Sequence, residues 1–200
     1  MDTNTRTRQH SRRLLTIVLA ALIGASGLSP AAADEPLLVE GITSEQEALV
    51  GWAIGLYAEA GLELPNMRIT GTDNPDSCDG RLGFALPRRR HVEITLCSDV
   101  HGAAVEFLLV HELAHAWDFH SLTDERRAAF QELRGANVWL ERDVEWRDRA
   151  GEQAAEIMVW ALMDRPIRSA RIWDTSCEQL EAGYRTLTGL APLHGYTDHC

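Results

Sequence analysis

His111-Glu112-Leu113-Ala114-His115 lies inside an apolar run, with Val105-Glu106-Phe107-Leu108-Leu109-Val110 before it and Ala116-Trp117 after it. The run reads as a buried helix. Two histidines four residues apart on a helix lie one turn from each other, on the same face. That spacing lets both imidazoles reach one zinc ion, and it sets Glu112 where it can take a proton from water on the metal. H-E-x-x-H fixes only three of five positions, so the flanks carry weight. Two histidines and a glutamate buried in such a helix cost free energy unless a metal or hydrogen bonds compensate them. The bland alternative is a core helix whose polar residues satisfy one another.

The third ligand decides the type of site. An extension with glycine three and histidine six residues after the second histidine is excluded, because those positions hold Asp118 and Ser121. His120 follows His115 by five residues, roughly 140° around the helix, and is expected to be exposed or capping. A later segment, Gly151-Glu152-Gln153-Ala154-Ala155-Glu156, offers two carboxylates four apart beside an apolar stripe of Ala155, Val159 and Met163. Carboxylates turned toward a core call for a cation or hydrogen-bond donors. Glu152 can complete a His2Glu zinc site with the fourth position open for water. Glu156, one turn on, can accept a hydrogen bond from the far nitrogen of a ligand histidine and fix its tautomer. The alternative is a surface helix with ordinary solvated glutamates.

His-Glu-x-x-His followed by a helix carrying Glu-x-x-Ala-Glu resembles the gluzincin metallopeptidases, especially compact catalytic domains similar to anthrax lethal factor and the minigluzincins. His111 to Asp118 and Glu152 to Glu156 carry the match, a small part of the chain. The resemblance implies a zinc-dependent endopeptidase of zincin-like fold. It implies His111, His115 and Glu152 as metal ligands, Glu112 as general base, and Glu156 as the acceptor behind a ligand histidine. One departure stands out. Such domains place a tyrosine or histidine to stabilise the oxyanion, and the comparable position, seven before the glutamate ligand, holds Glu145 with Trp146 beside it. Tyr184, Tyr196, His194 and His199 are the other candidate suppliers, and sequence does not choose among them.

The first 33 residues read as a signal peptide rather than part of the fold. Arg6, Arg8, Arg12 and Arg13 form a basic region, Leu14 to Leu28 an apolar stretch, and Ala31-Ala32-Ala33 a small-residue cleavage site before Asp34. The apolar stretch is shorter than the roughly 20 residues that span a bilayer. Arg12-Arg13 also fits a twin-arginine signal, so the export route is open between that and Sec. No cysteine follows the cleavage region, and no stable membrane anchor is expected. The mature protein is expected to be secreted, from Asp34 to Cys200, as one metallopeptidase-like domain and a monomer. Without the four leading arginines and Asp2, 15 arginines face 29 acidic residues, a formal net charge of −14. Such a surface argues against nucleic acid and anionic membranes as partners, and solubility alone explains it.

Four cysteines remain, Cys78, Cys97, Cys177 and Cys200, none with C-x-x-C spacing. An even count in an oxidising compartment favours two disulfides. Pairing neighbours within one segment gives Cys78–Cys97 and Cys177–Cys200.

The remaining patterns predict an α+β order, a small sheet ahead of the motif helix and then helices. Thr43-Ser44-Glu45-Gln46-Glu47 opens a helix to about Ala60, with Gly61 beyond it. Met67 to Thr70, Leu82 to Leu86 and Val92 to Leu96 read as strands, the last as an edge able to bind extended peptide by strand addition. The motif helix runs from about Ala103 to Phe119, and Thr123 caps a shorter one to Leu133. The Glu152 helix ends at Pro166, and a last helix covers Ser176 to Leu187. The function expected from these patterns is a secreted zinc endopeptidase acting on peptide or protein. The alternatives are a non-catalytic secreted zinc-binding module and a metal-dependent hydrolase of another substrate.

Overall fold

The capping box at Thr43 forms as its pattern predicts. In the computed structural model, which describes residues 37–72, 74–97, 102–165 and 171–194, the Thr43 hydroxyl accepts from the Gln46 backbone and the Gln46 side chain accepts from the Thr43 backbone. These two bonds satisfy N–H groups left over at the start of helix α1, Ser44–Glu59. Gly61 follows it at φ +72°. The described strands are β1, Leu37–Glu40; β2, Met67–Thr72; β3, Gly83–Pro87; and β4, Val92–Cys97. The helices after the sheet are α2, Ala103–Ser121; α3, Asp124–Arg134; α4, Ala150–Leu162; and α5, Cys177–Thr188. The fold is α+β.

The sheet runs in the order β1-β2-β4-β3, parallel at β1/β2 and β2/β4 and antiparallel at β4/β3. Alternation sets its faces. Met67 and Ile69 of β2 and Val92, Ile94 and Leu96 of β4 are buried, whereas Arg68 is exposed and Glu93 and Thr95 are only partly covered. All three expected strands and all the expected helices are present. β1 was not anticipated, because four residues pairing at a sheet edge leave too little alternation to read. Val92–Cys97 corrects an expectation: it pairs on both sides, so the edge next to the helices is β3 rather than β4. A second correction concerns α4, which stops at Leu162, with Met163 already extended, short of Pro166.

Helix α2 lies at the centre, packed against α1, β3 and α4, while α4 also packs on α5. The Tyr57 hydroxyl of α1 donates to the Val110 carbonyl at 2.8 Å inside the core, pinning α2 immediately before His111. Every residue of α4 except Glu152 is buried, which removes the solvated surface-helix alternative. Cys78, closing the 3-10 turn Pro75–Cys78, is bonded to Cys97 at the end of β4, with Cα atoms 6.3 Å apart. A crosslink over a loop of this size contributes roughly 3 kcal/mol by constraining the unfolded chain. Cys177 is also disulfide-bonded, and Cys200 lies outside the described residues, as does the expected signal segment. No helix among the described residues is long and apolar enough to cross a membrane.

Gly71 of β2 shows why a side chain is missing there. A Cβ would stand 2.2 Å from the Gly41 carbonyl oxygen and 2.9 Å from Ile42 Cγ2. Backbone cannot yield as a side-chain tip can. Gly71→Ala is expected to cost roughly 1–3 kcal/mol, seen as a lowered melting temperature. Melting within a degree of the parent would show that the Gly41 turn moves freely.

Candidate metal centre

Helix α2 turns one face toward α4, and the buried polar residues of both helices meet across that seam. His111, Glu112, His115 and Asp118 are all buried in α2, and Glu156 is buried in α4. His111 Nε2 stands 3.2 Å and His115 Nε2 3.3 Å from the same oxygen, Glu152 Oε2. The three residues offer one donor atom each, all within 4.8 Å of one another, and this group can hold a metal ion. Donors around a tetrahedral ion at 2.0–2.2 Å are themselves roughly 3.3–3.6 Å apart, so the spacing fits without rebuilding the helices. The far side of His111 fits too. Its Nδ1 is buried without a hydrogen bond, and Glu156 Oε1 is the carboxylate atom 3.6 Å away. His120 is exposed near the end of α2 and takes no part.

Glu152 reaches the seam because of how α4 begins. No side chain caps this helix. The Ala150 and Gly151 N–H groups instead donate to the Val138 and Trp139 carbonyls at 3.0 and 2.9 Å. Gly151 permits the approach, since a Cβ there would stand 2.7 Å from Leu140 Cδ2 and 3.0 Å from the Trp139 carbonyl oxygen. Glu152 in the first turn also lies at the favourable end of the helix dipole. The preceding loop is tied down by the Arg149 guanidinium, which donates to the Val144 and Arg142 carbonyls. That loop lays the Trp146 ring against His111, with centroids 6.1 Å apart and planes 20° from parallel.

The electrostatics follow from burial and pairing. Burial disfavours charge on Glu152, but hydrogen bonds and charge from His111 and His115 outweigh it and hold the carboxyl far below its ordinary range. Burial likewise opposes charge on His115, yet Glu152, with help from Glu112 and Asp118, pushes it up to about 9. Glu112 is raised, chiefly by burial, against the lowering effect of the two histidines and of a backbone hydrogen bond from Ala85 in β3. Burial also raises Glu156.

Asp118 is a member of this cluster that the sequence patterns did not single out. It accepts from Trp139 Nε1 at 2.7 Å and from Arg127 Nη2 at 3.1 Å, joining α2 to α3 and to the loop before α4. Its signal was present, a carboxylate in a buried helical run three residues beyond His115. Trp146 and Arg171 carry no such local mark, and they reach the site only through the fold. Of the candidate oxyanion suppliers, Tyr184 is buried in α5, while Glu145, the residue at the position where a supplier was looked for, is exposed. His194 is fixed by its backbone N–H to the Ala161 carbonyl, and Tyr196 and His199 lie outside the described residues. No known protein family, curated protein or solved structure matches this chain.

Proposed function

We propose that this protein is an exported zinc-dependent endopeptidase, with His111, His115 and Glu152 as ligands and Glu112 as general base. The observation that carries the reading is the convergence of two imidazole nitrogens on one buried carboxylate oxygen, with Glu112 on the same helix. Zinc held there would act as a Lewis acid and lower the pKa of the water it binds. Two imidazoles and one carboxylate form a donor set that catalytic zinc sites use, and that iron(II) sites use as well, so Glu112 beside the ligands is what favours zinc hydrolysis.

The chain's own groups have defined parts. Glu112 removes a proton from water and returns it to the leaving amine, a task suited to a carboxyl raised by burial. The Ala85 N–H holds the Glu112 carboxylate from β3. Glu156 Oε1, 3.6 Å from His111 Nδ1, is the acceptor toward which the Nδ1–H would turn when Nε2 presents its lone pair to a metal. The carbonyls of Gly83, Ala85 and Pro87 and the N–H of Gly83 in β3 point away from the β4 ladder, as the flanking bonds of Leu82 with Cys97 and of Arg88 with His91 require. This free edge beside Glu112 suits an extended peptide joined by strand addition. The Cys78–Cys97 disulfide supports an oxidising compartment.

The test is hydrolysis of an unfolded protein by the purified chain. Cleavage is expected to stop with a chelator and return with zinc. Zinc binding without cleavage of any peptide library would replace this reading with a non-catalytic binding module.

A further inference from the structure

An open surface cavity of about 300 Å³ is lined by Glu145, Trp146, Arg147 and Arg171, one ring away from the metal-capable group. Trp146 joins the two, since one side of its ring system stacks on His111 and Arg171 lies over it at 4.2 Å. Arg147 is held in the same way, 4.9 Å over the Trp173 ring. A guanidinium stacked on a ring is held by its face, which leaves the N–H donors in its plane for a ligand. Among the described residues neither guanidinium makes a hydrogen bond, and Arg171 meets only Glu156 Oε1, at 3.6 Å. Glu145 is exposed, so water screens its charge. Two ring-held arginines at one cavity stand out in a chain with 29 acidic residues against 15 basic ones after the leading segment.

We propose that this cavity is a carboxylate-binding subsite, in which Arg147 and Arg171 take an acidic side chain or the free C-terminal carboxylate of a peptide lying at the centre. Planar forks of N–H donors match a carboxylate in two-point contact, which a neutral amide side chain does not reproduce. The half-buried Trp146 ring, which lines the cavity, adds an apolar wall for the stem of such a residue. The peptide in this inference rests on the peptidase reading above, whereas the anion preference rests on the cavity itself.

The test is binding rather than turnover. Protein carrying Glu112→Gln, supplied with zinc, is titrated by calorimetry with three sets of acetylated octapeptides. One is neutral and C-amidated, one carries a single glutamate scanned through every position, and one is neutral with a free C-terminus. A glutamate at one register, or the free terminus, is expected to tighten binding roughly tenfold, less at high salt. Arg147→Gln and Arg171→Gln should each make acidic and neutral peptides bind alike. The glutamate and free-acid sets separate a side-chain carboxylate from a terminal one. Acidic peptides binding no tighter than neutral ones, or not at all, would overturn the subsite, as would a preference that survives both arginine changes. Acid-selective binding by a chain that cleaves nothing keeps the subsite and sinks the peptidase reading. Cleavage without acid preference does the reverse.

Discussion

Replacing Glu112 with glutamine is expected to leave metal content and melting temperature at wild-type values while lowering proteolysis by something on the order of a hundredfold or more. Glutamine has almost the same shape, so the packing of α2 against α4 and β3 is kept. Its amide cannot take a proton at neutral pH. The Ala85 N–H that serves the carboxylate can serve the amide oxygen equally. Loss of a buried carboxyl raised by burial is expected to be neutral for folding, because the amide carries no cost of burying a charge. Metal analysis, a thermal melt and an initial-rate assay on one protein substrate decide the matter together. Wild-type turnover in a metal-loaded variant would defeat the proposed role of Glu112.

Glu152→Ala is expected to abolish stable metal binding. Removing a carboxylate that merely supports a ligand weakens metal sites roughly 10–100-fold, and losing a ligand costs more than that. Here the loss is sharpened because Glu152 Oε2 is the atom on which both Nε2 atoms converge. The metal-free variant should also melt lower than the metal-free parent, since His115 loses the partner that holds its proton up to about 9. His111→Ala and His115→Ala should share the metal defect, while His120→Ala, on the exposed end of α2, should not. Competition with a chelator of known affinity measures each. Full zinc retention by Glu152→Ala would place the third ligand elsewhere.

Helix positions were legible in the chain because their signals are local. Thr43 with Gln46, Thr123 before α3, and glycines at 61, 135 and 189 mark ends through hydrogen bonds and φ values that involve a few neighbouring residues. The His111–His115 pair was legible for the same reason, since a four-residue step on a helix fixes a shared face before any tertiary contact forms. The Cys78–Cys97 link followed from proximity in sequence.

Strand order was not legible. The alternation that identifies Val92–Cys97 as a strand is the same for a central strand as for an edge, so only pairing with β2 and β3 decided it. The same limit governs the site. Sequence determined that two histidines and a glutamate share one buried helical face, and that a second helix carries Glu152 and Glu156 four residues apart. Tertiary structure alone brought Glu152 Oε2 to both histidines, and Glu156 to the opposite nitrogen of His111. It alone placed Trp146 and Arg171 beside them. Those contacts cross 25 to 45 residues of chain. Their geometry is set by how α4 docks on α2, through the carbonyls of Val138 and Trp139 and the missing side chain of Gly151, and no local periodicity encodes that docking.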